Sequence, residues 1–164
     1  MSIKEKWKGF DGIDYILEYE NTNSFENLDY SLCRQCYGVC FYKDKMVIGY
    51  RGKKKVWGLV GGTIEKGENF EECLRREIKE ETNMEVLNFL PIGYQTFTGI
   101  QNREFGYQLR YVCKVRPLGP FVSDPAGSIT EIKLIDPKEY KKFFDWGKIH
   151  EKVIERALEL KDLL

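Results

Sequence analysis

Three glutamates at helical spacing are the side chains in this sequence best arranged to do chemistry. Glu77, Glu80 and Glu81 stand as i, i+3 and i+4 within NFEECLRREIKEET, residues 69–82. That segment lacks Gly and Pro and is rich in helix formers, so it is predicted as a helix. Phe70, Cys73, Leu74 and Ile78 make one apolar stripe on it, and Glu72, Arg75 and Lys79 point away. Glu77 and Glu81 fall inside the stripe, and Glu80 lies at its edge. A carboxylate turned toward a core is costly unless it is paired or binds a metal. Side chains at these spacings converge on one patch. Clustered carboxylates repel one another, and a hard divalent cation such as Mg²⁺ or Mn²⁺ relieves that repulsion through oxygen ligands. The competing reading is a solvated acidic patch with Arg76 and Lys79 as local partners.

The residues ahead of the helix favour the metal reading. They run WGLVGGTIEKGEN. Gly61 and Gly62 end a short apolar piece and let the backbone approach a ligand closely. Gly67 permits a turn, and Glu68 or Asn69 is placed to cap the helix. Strand, glycine loop and acidic helix together form a cradle for phosphate and metal.

Residues 62–84, GTIEKGENFEECLRREIKEETNM, resemble the Nudix box, G-x₅-E-x₇-R-E-U-x-E-E-x-G-U, with U a bulky aliphatic residue. Gly62, Glu68, Arg76, Glu77, Ile78, Glu80, Glu81 and Met84 match in order. Asn83 stands where the family has glycine, and asparagine is the next-best residue for a left-handed helix end. Val60 stands where a proline is common.

The resemblance implies an α/β (α+β) fold of the Nudix type, an α/β/α sandwich with a central mixed sheet. It implies that Glu77, Glu80 and Glu81 coordinate divalent cations, joined by the Gly62 carbonyl, and that Arg76 holds the acidic cluster in place. Glu68 takes a structural or outer metal role, in competition with a simple role at the helix N-terminus. The reaction implied is attack of water on a phosphorus of a diphosphate, with Mg²⁺ (or Mn²⁺) polarising the phosphoryl oxygens.

Outside the box, Glu131 is the candidate general base or further ligand, with Glu104 a weaker one. Arg51, opening the basic run RGKKK, resembles a family position that contacts substrate phosphates, and its planar fork suits them. Gly61 and Gly62 complete the substrate-binding set.

The elements that must position these groups are legible in outline. A first strand is expected at 12–19, a polar loop at 20–30 and a hairpin across 35–50 that turns at KDK. Further strands are expected at 85–97, 105–115 and 129–135. A closing amphipathic helix at about 148–163 carries Ile149, Val153, Ile154, Ala157 and Leu158. Strands interleaved with two helices place the sheet between helices. The 164 residues suit one domain, 1–164, with residues 1–30 an appended strand and loop.

Composition narrows the function classes. The formal net charge is zero, which argues against a long nucleic-acid partner. The start of the chain has no apolar signal region, and no apolar run approaches a membrane span, so a cytoplasmic location is expected. Five cysteines, an odd number, read as reduced thiols. CRQCYGVC has the spacing of half a zinc knuckle but no second pair, and His150 reads as structural.

The expected partner is a small nucleoside diphosphate derivative, with a nucleoside triphosphate or nucleotide sugar favoured. The expected oligomeric state is a monomer or homodimer. Three alternatives stand beside this reading: a regulatory domain that binds a nucleotide without hydrolysis; an isoprenyl diphosphate isomerase using Cys40 or Cys113; and a zinc-dependent nucleic-acid binder built on CRQCYGVC.

Overall fold

The structure, a computed structural model, describes residues 2–164. Alternation along the strands decides how its layers form. In β3 (Cys33–Tyr42), Cys36 and Cys40 face one side of the sheet, and Val39 and Phe41 face the other. In β4 (Lys45–Arg51), Val47 faces the first side, and Met46 and Ile48 the second. Successive strand side chains point to opposite faces, so near-continuous apolar runs of this kind demand cover on both.

Two helices supply that cover. Helix α1 (Phe70–Thr82) buries Cys73, Leu74 and Ile78 against the Cys36, Cys40 and Val47 face. Helix α2 (Lys148–Leu160) buries Ile149, Val153, Ile154 and Ala157 against the Val39, Met46 and Ile48 face. Each fully buried aliphatic side chain contributes roughly 1.5–3 kcal/mol. The result is the sandwich expected from the sequence, a central sheet between helices.

Among the described residues the sheet has nine strands and is mixed. The others are β1 (Ser2–Lys8), β2 (Asp14–Asn21), β5 (Val56–Gly58), β6 (Val60–Thr63), β7 (Met84–Gly99), β8 (Phe105–Pro117) and β9 (Ile129–Ile135). The main path runs β1-β2-β7-β8-β3-β4-β5, with β6 paired to β3 and β9 to β4. β3 and β8 run parallel at the centre, and the other pairs are antiparallel. The 35–50 hairpin forms as expected, with Cys40 opposite Val47 and Tyr42 opposite Lys45.

The N-terminal segment differs from the expectation of one strand and a loop. β1 and β2 form a hairpin, from Ser2 opposite Glu20 to Lys8 opposite Asp14, and β2 continues the sheet onto β7. β1 reads SIKEKWK and is largely exposed at the sheet edge. Only Ile3 and Trp7 among its residues are apolar, which is too little periodicity to announce a strand.

Candidate active site

The acidic helix begins with a capping box. The Asn69 side chain accepts from Glu72 N–H at 2.8 Å, and the Glu72 carboxylate accepts from Asn69 N–H at 3.3 Å. Asn69, not Glu68, is therefore the cap. At the other end Asn83 adopts φ 56°, ψ 38°, the left-handed conformation that glycine adopts most easily. Its side chain donates to Pro120 O at 3.0 Å, so the departure from the motif gains a tie to the next loop.

Gly61 and Gly62 bring β6 against this helix. A Cβ on Gly62 would lie 2.5 Å from the Glu77 carboxyl carbon. Gly61 has φ 149°, and a Cβ there would meet Cys36 O at 2.2 Å. Only glycine lets the strand pass so close. Gly61 N–H donates to Glu81 Oε1 at 2.7 Å, and Gly62 O accepts from the Cys73 thiol at 3.7 Å.

Arg76 organises the acidic cluster. Its Nε and Nη2 donate to the two Glu68 oxygens at 2.6 and 2.9 Å, a paired contact that lowers the Glu68 pKa. Its Nη1 donates to Glu77 at 2.9 Å and Glu80 at 3.3 Å, and Nη2 also reaches Thr63 O at 3.0 Å. Glu68 is thus fully engaged as a brace for Arg76. Glu81 sits deeper, 4% exposed, with Arg51 Nη2 at 3.7 Å from its Oε1. Burial pushes Glu81 up to about 7, while Arg51 and the Gly61 N–H pull it down. Burial also raises Glu77, against the pull of Arg76.

Arg51 therefore faces the acidic centre, and its Nη1 donates to Leu59 O at 3.1 Å. The lysines after it do not join the cluster. They lie exposed on the turn after β4, with Lys54 over the Phe10 ring at 4.8 Å.

Glu131 is not brought to the cluster. It pairs across from Tyr50 and is exposed. Its neighbour Ile132 packs into the α1-side core, whereas Lys133 covers Trp57 and Phe143 on the α2 side. Strand alternation puts Glu131 with Lys133, on the face turned away from α1. Glu104 is exposed just before β8 and lines a surface groove that includes none of Glu77, Glu80 and Glu81.

The carboxylate that does reach the cluster from this part of the chain is Asp124, which sequence reasoning missed. It is 6% exposed, and its negative charge raises both Glu77 and Glu81. Its oxygens accept from the N–H groups of Ala126 (2.8 Å), Ser128 (3.2 Å) and Ile129 (3.1 Å). The sequence signal was the turn-forming DPAG, in which an Asp before Pro bonds its own loop.

Among the described residues, no three His, Cys, Asp or Glu side chains are gathered into a ready-made metal site. The carboxylates point at Arg76, Arg51 and Gly61 N–H instead. Two guanidinium groups face five carboxylates, those of Glu68, Glu77, Glu80, Glu81 and Asp124. This all-oxygen donor set with excess negative charge fits a hard divalent cation.

The five cysteines are buried and free. Cys36 and Cys40 pack under α1 with Cys73 and Cys113 as small apolar core residues. Burial raises the Cys113 thiol pKa well above its ordinary value. Cys40 and Cys113 are fully buried, out of reach of a substrate. His150 packs against Trp146 and Phe144, and burial pulls it down to about 3, so it is neutral.

Comparison with known proteins agrees with this geometry. The NUDIX domain model matches residues 34–157. A 57-residue stretch is 35% identical to the NAD-capped RNA hydrolase NudC of Pseudomonas aeruginosa, covering 35% of this chain and 20% of that protein. A 45-residue stretch is 40% identical to the NudC of Vibrio vulnificus, covering 27% of this chain and 17% of that one. The match thus spans a fifth or less of these relatives' length.

The Bacillus subtilis pyrophosphohydrolase BsRppH shares the fold with a TM-score of 0.71 at 14% identity, over 94% of this chain and 96% of that one. A NUDIX hydrolase from Nitrosomonas europaea does so with a TM-score of 0.65 at 19% identity, over 80% and 95%. No described helix is long and apolar enough to cross a membrane. With the family model covering most of the sequence, and with box, glycine strand and sandwich all in place, this chain belongs to the Nudix family.

Proposed function

We propose that the protein hydrolyses a diphosphate linkage in a nucleoside diphosphate derivative, either a nucleoside triphosphate or a nucleotide sugar, with the help of Mg²⁺ or Mn²⁺. The observation that carries this reading is the cluster of carboxylates on α1, Glu81 buried among them, pressed against a glycine strand and joined through Arg51 to an open cleft. Glu77, Glu80 and Glu81, with the Gly62 carbonyl, would hold the cation. When bound there it would polarise phosphoryl oxygens and shield their charge.

The chain's own groups do the rest. Arg76, braced by both oxygens of Glu68, fixes Glu77 and Glu80 on one side of the helix. Gly61 N–H orients Glu81. Arg51 lies between Glu81 and the cleft, where its second face can meet a phosphate. Asp124 ties the 124–129 loop beside them. The pairing of β2 with β7 supports reading residues 1–164 as one unit, with the N-terminal hairpin built into the sheet.

The test is a panel of diphosphate compounds assayed with Mg²⁺, with Mn²⁺ and with EDTA, the products being resolved by chromatography. NAD belongs in the panel because the matched relatives are NAD-capped RNA hydrolases. Glu80→Gln should lower the rate roughly a hundredfold or more, from lost charge stabilisation of several kcal/mol, and leave the thermal melt intact. Turnover near that of the wild type in this variant would overturn the proposal.

A further inference from the structure

Tyr37, on β3, stands where the acidic centre meets the cleft. It pairs with Gly61 of β6 on one side and with Arg110 of β8 on the other. A Cβ on Gly61 would lie 2.8 Å from the Tyr37 ring carbon Cδ1, so the ring lies directly against that glycine. The Arg110 guanidinium carbon is 4.8 Å from the ring centre, a cation–π contact. Arg110 is itself 4% exposed and held by Gln95 Oε1 at 3.4 Å and Gln108 Oε1 at 3.3 Å. The ring is thus pinned between two neighbouring strands. Its hydroxyl is free: among the described residues it has no hydrogen-bond partner. The residue is half-buried and lines the cleft of about 280 Å³ that Arg51 also borders. A buried tyrosine usually finds a partner for its O–H, and packing alone would be served as well by phenylalanine.

The charges around the hydroxyl show what it can meet. Burial raises its pKa, Arg51 and Arg110 pull it down, and Glu81 and Glu77 push it up. The phenol therefore keeps its proton at neutral pH and is an uncharged donor. The cleft carries three cations, Arg51, Lys54 and Arg110, against one carboxylate, Glu5. Glu5 is taken up by Ile149 N–H, and His150 is neutral. The field in the cleft favours an anion. Arg51 is partly spent already, with Nη1 on Leu59 O at 3.1 Å and Nη2 toward Glu81 at 3.7 Å. A neutral donor beside it can bond a phosphate oxygen without drawing the carboxylates away from a cation, as a further arginine would.

We infer that Tyr37 is a further substrate-binding residue of the reaction, its hydroxyl donating to a phosphate oxygen on the cleft side of the acidic centre, next to the Arg51 fork. The cation held by the α1 carboxylates would take phosphoryl oxygens on one side, and Tyr37 with Arg51 would take them on the other. Because Gly61 and Arg110 fix the ring, the donor is in place before the substrate arrives, which lowers the cost of ordering it on binding. This inference rests on the reading that the acidic centre handles a diphosphate.

Binding measured without turnover separates the two claims. The methylene-bridged diphosphates of adenosine and guanosine cannot be cleaved at the bridge. They are titrated by calorimetry into the full chain with Mg²⁺, with adenosine and guanosine as controls. Tyr37→Phe removes one oxygen and keeps the ring on Gly61 and Arg110. It should weaken both diphosphates about tenfold or more, as loss of a hydrogen bond to a charged group does. Affinity for the two nucleosides and the thermal melt should not change. No binding of either diphosphate by the wild type, a smaller loss in the variant, an equal loss for the nucleosides, or a melt lowered by several degrees would each overturn the inference. If every diphosphate of the panel goes uncleaved while Tyr37→Phe still weakens the analogues, the contact stands and the proposed hydrolysis falls. Cleavage by a protein whose Tyr37→Phe variant binds the analogues as well as the wild type does the reverse.

Discussion

Replacing Glu81 by glutamine separates what the acidic site costs from what it does. The Glu81 side chain is 5% exposed, with Arg51 at 3.7 Å and Gly61 N–H at 2.7 Å, yet burial still raises its pKa from 4.5 to about 7. In that window the folded protein binds the proton more tightly than the unfolded chain does. Stability therefore falls as pH rises from 4.5 through 7 and stays low above it. At about 1.4 kcal/mol per pH unit, the gap amounts to roughly 3 kcal/mol at pH 8.

Glutamine has the same shape and can still accept from Gly61 N–H through its amide oxygen, but it carries no charge. In EDTA at pH 8, Glu81→Gln should melt later than the wild type by several degrees, at roughly 2–4 °C per kcal/mol for a chain of this size. At pH 4, where the wild-type carboxyl is protonated in the folded state, the two should melt together. Mg²⁺ should raise the wild-type melt more than that of the variant, and hydrolysis by the variant should drop about a hundredfold or more. A glutamine variant no more stable at pH 8 in EDTA, or a gap unchanged at pH 4, would refute the argument.

Three further outcomes follow from the same geometry. Asp124→Asn removes acceptor capacity from a loop held by three N–H groups, and should cost about 1–2 kcal/mol with a severalfold loss of rate. Glu131→Gln, on the other face of the sheet, should leave the rate within about twofold by the same assay. Asn83→Ala forces a Cβ-bearing residue without a helping amide into the left-handed region, at about 1–2 kcal/mol. It should lower the melting temperature while the rate per folded molecule is unchanged.

The acidic helix was legible because its information is local. A repeat of 3.6 residues fixes which side chains share a face, so Glu77 and Glu81 betrayed themselves by standing among Leu74 and Ile78. The glycine pair, the Asn69 cap and the left-handed Asn83 are likewise short-range features, governed by backbone sterics within a few residues. The same local alternation gave the β3–β4 hairpin and the length of β9.

What the sequence did not carry was which strands lie side by side. Gln35, Gln95, Gln108 and Arg110 come from β3, β7 and β8, and they meet only because β8 sits between β7 and β3. Glu131 and Asp124 looked equally placed along the chain, but strand alternation turned one to the wrong face and a turn folded the other inward. Helix α2 opens at Gly147, which offers no side-chain cap, and Ile149 N–H is met instead by Glu5 from β1. The sequence by itself determined the acidic, metal-suited helix and the glycine strand against it, because helix period and backbone sterics act over a few residues. The tertiary structure alone decided the counter-ions, the loop carboxylate and the glutamine–arginine cluster under the sheet, because strand order joins residues whose separation along the chain says nothing of their distance in space.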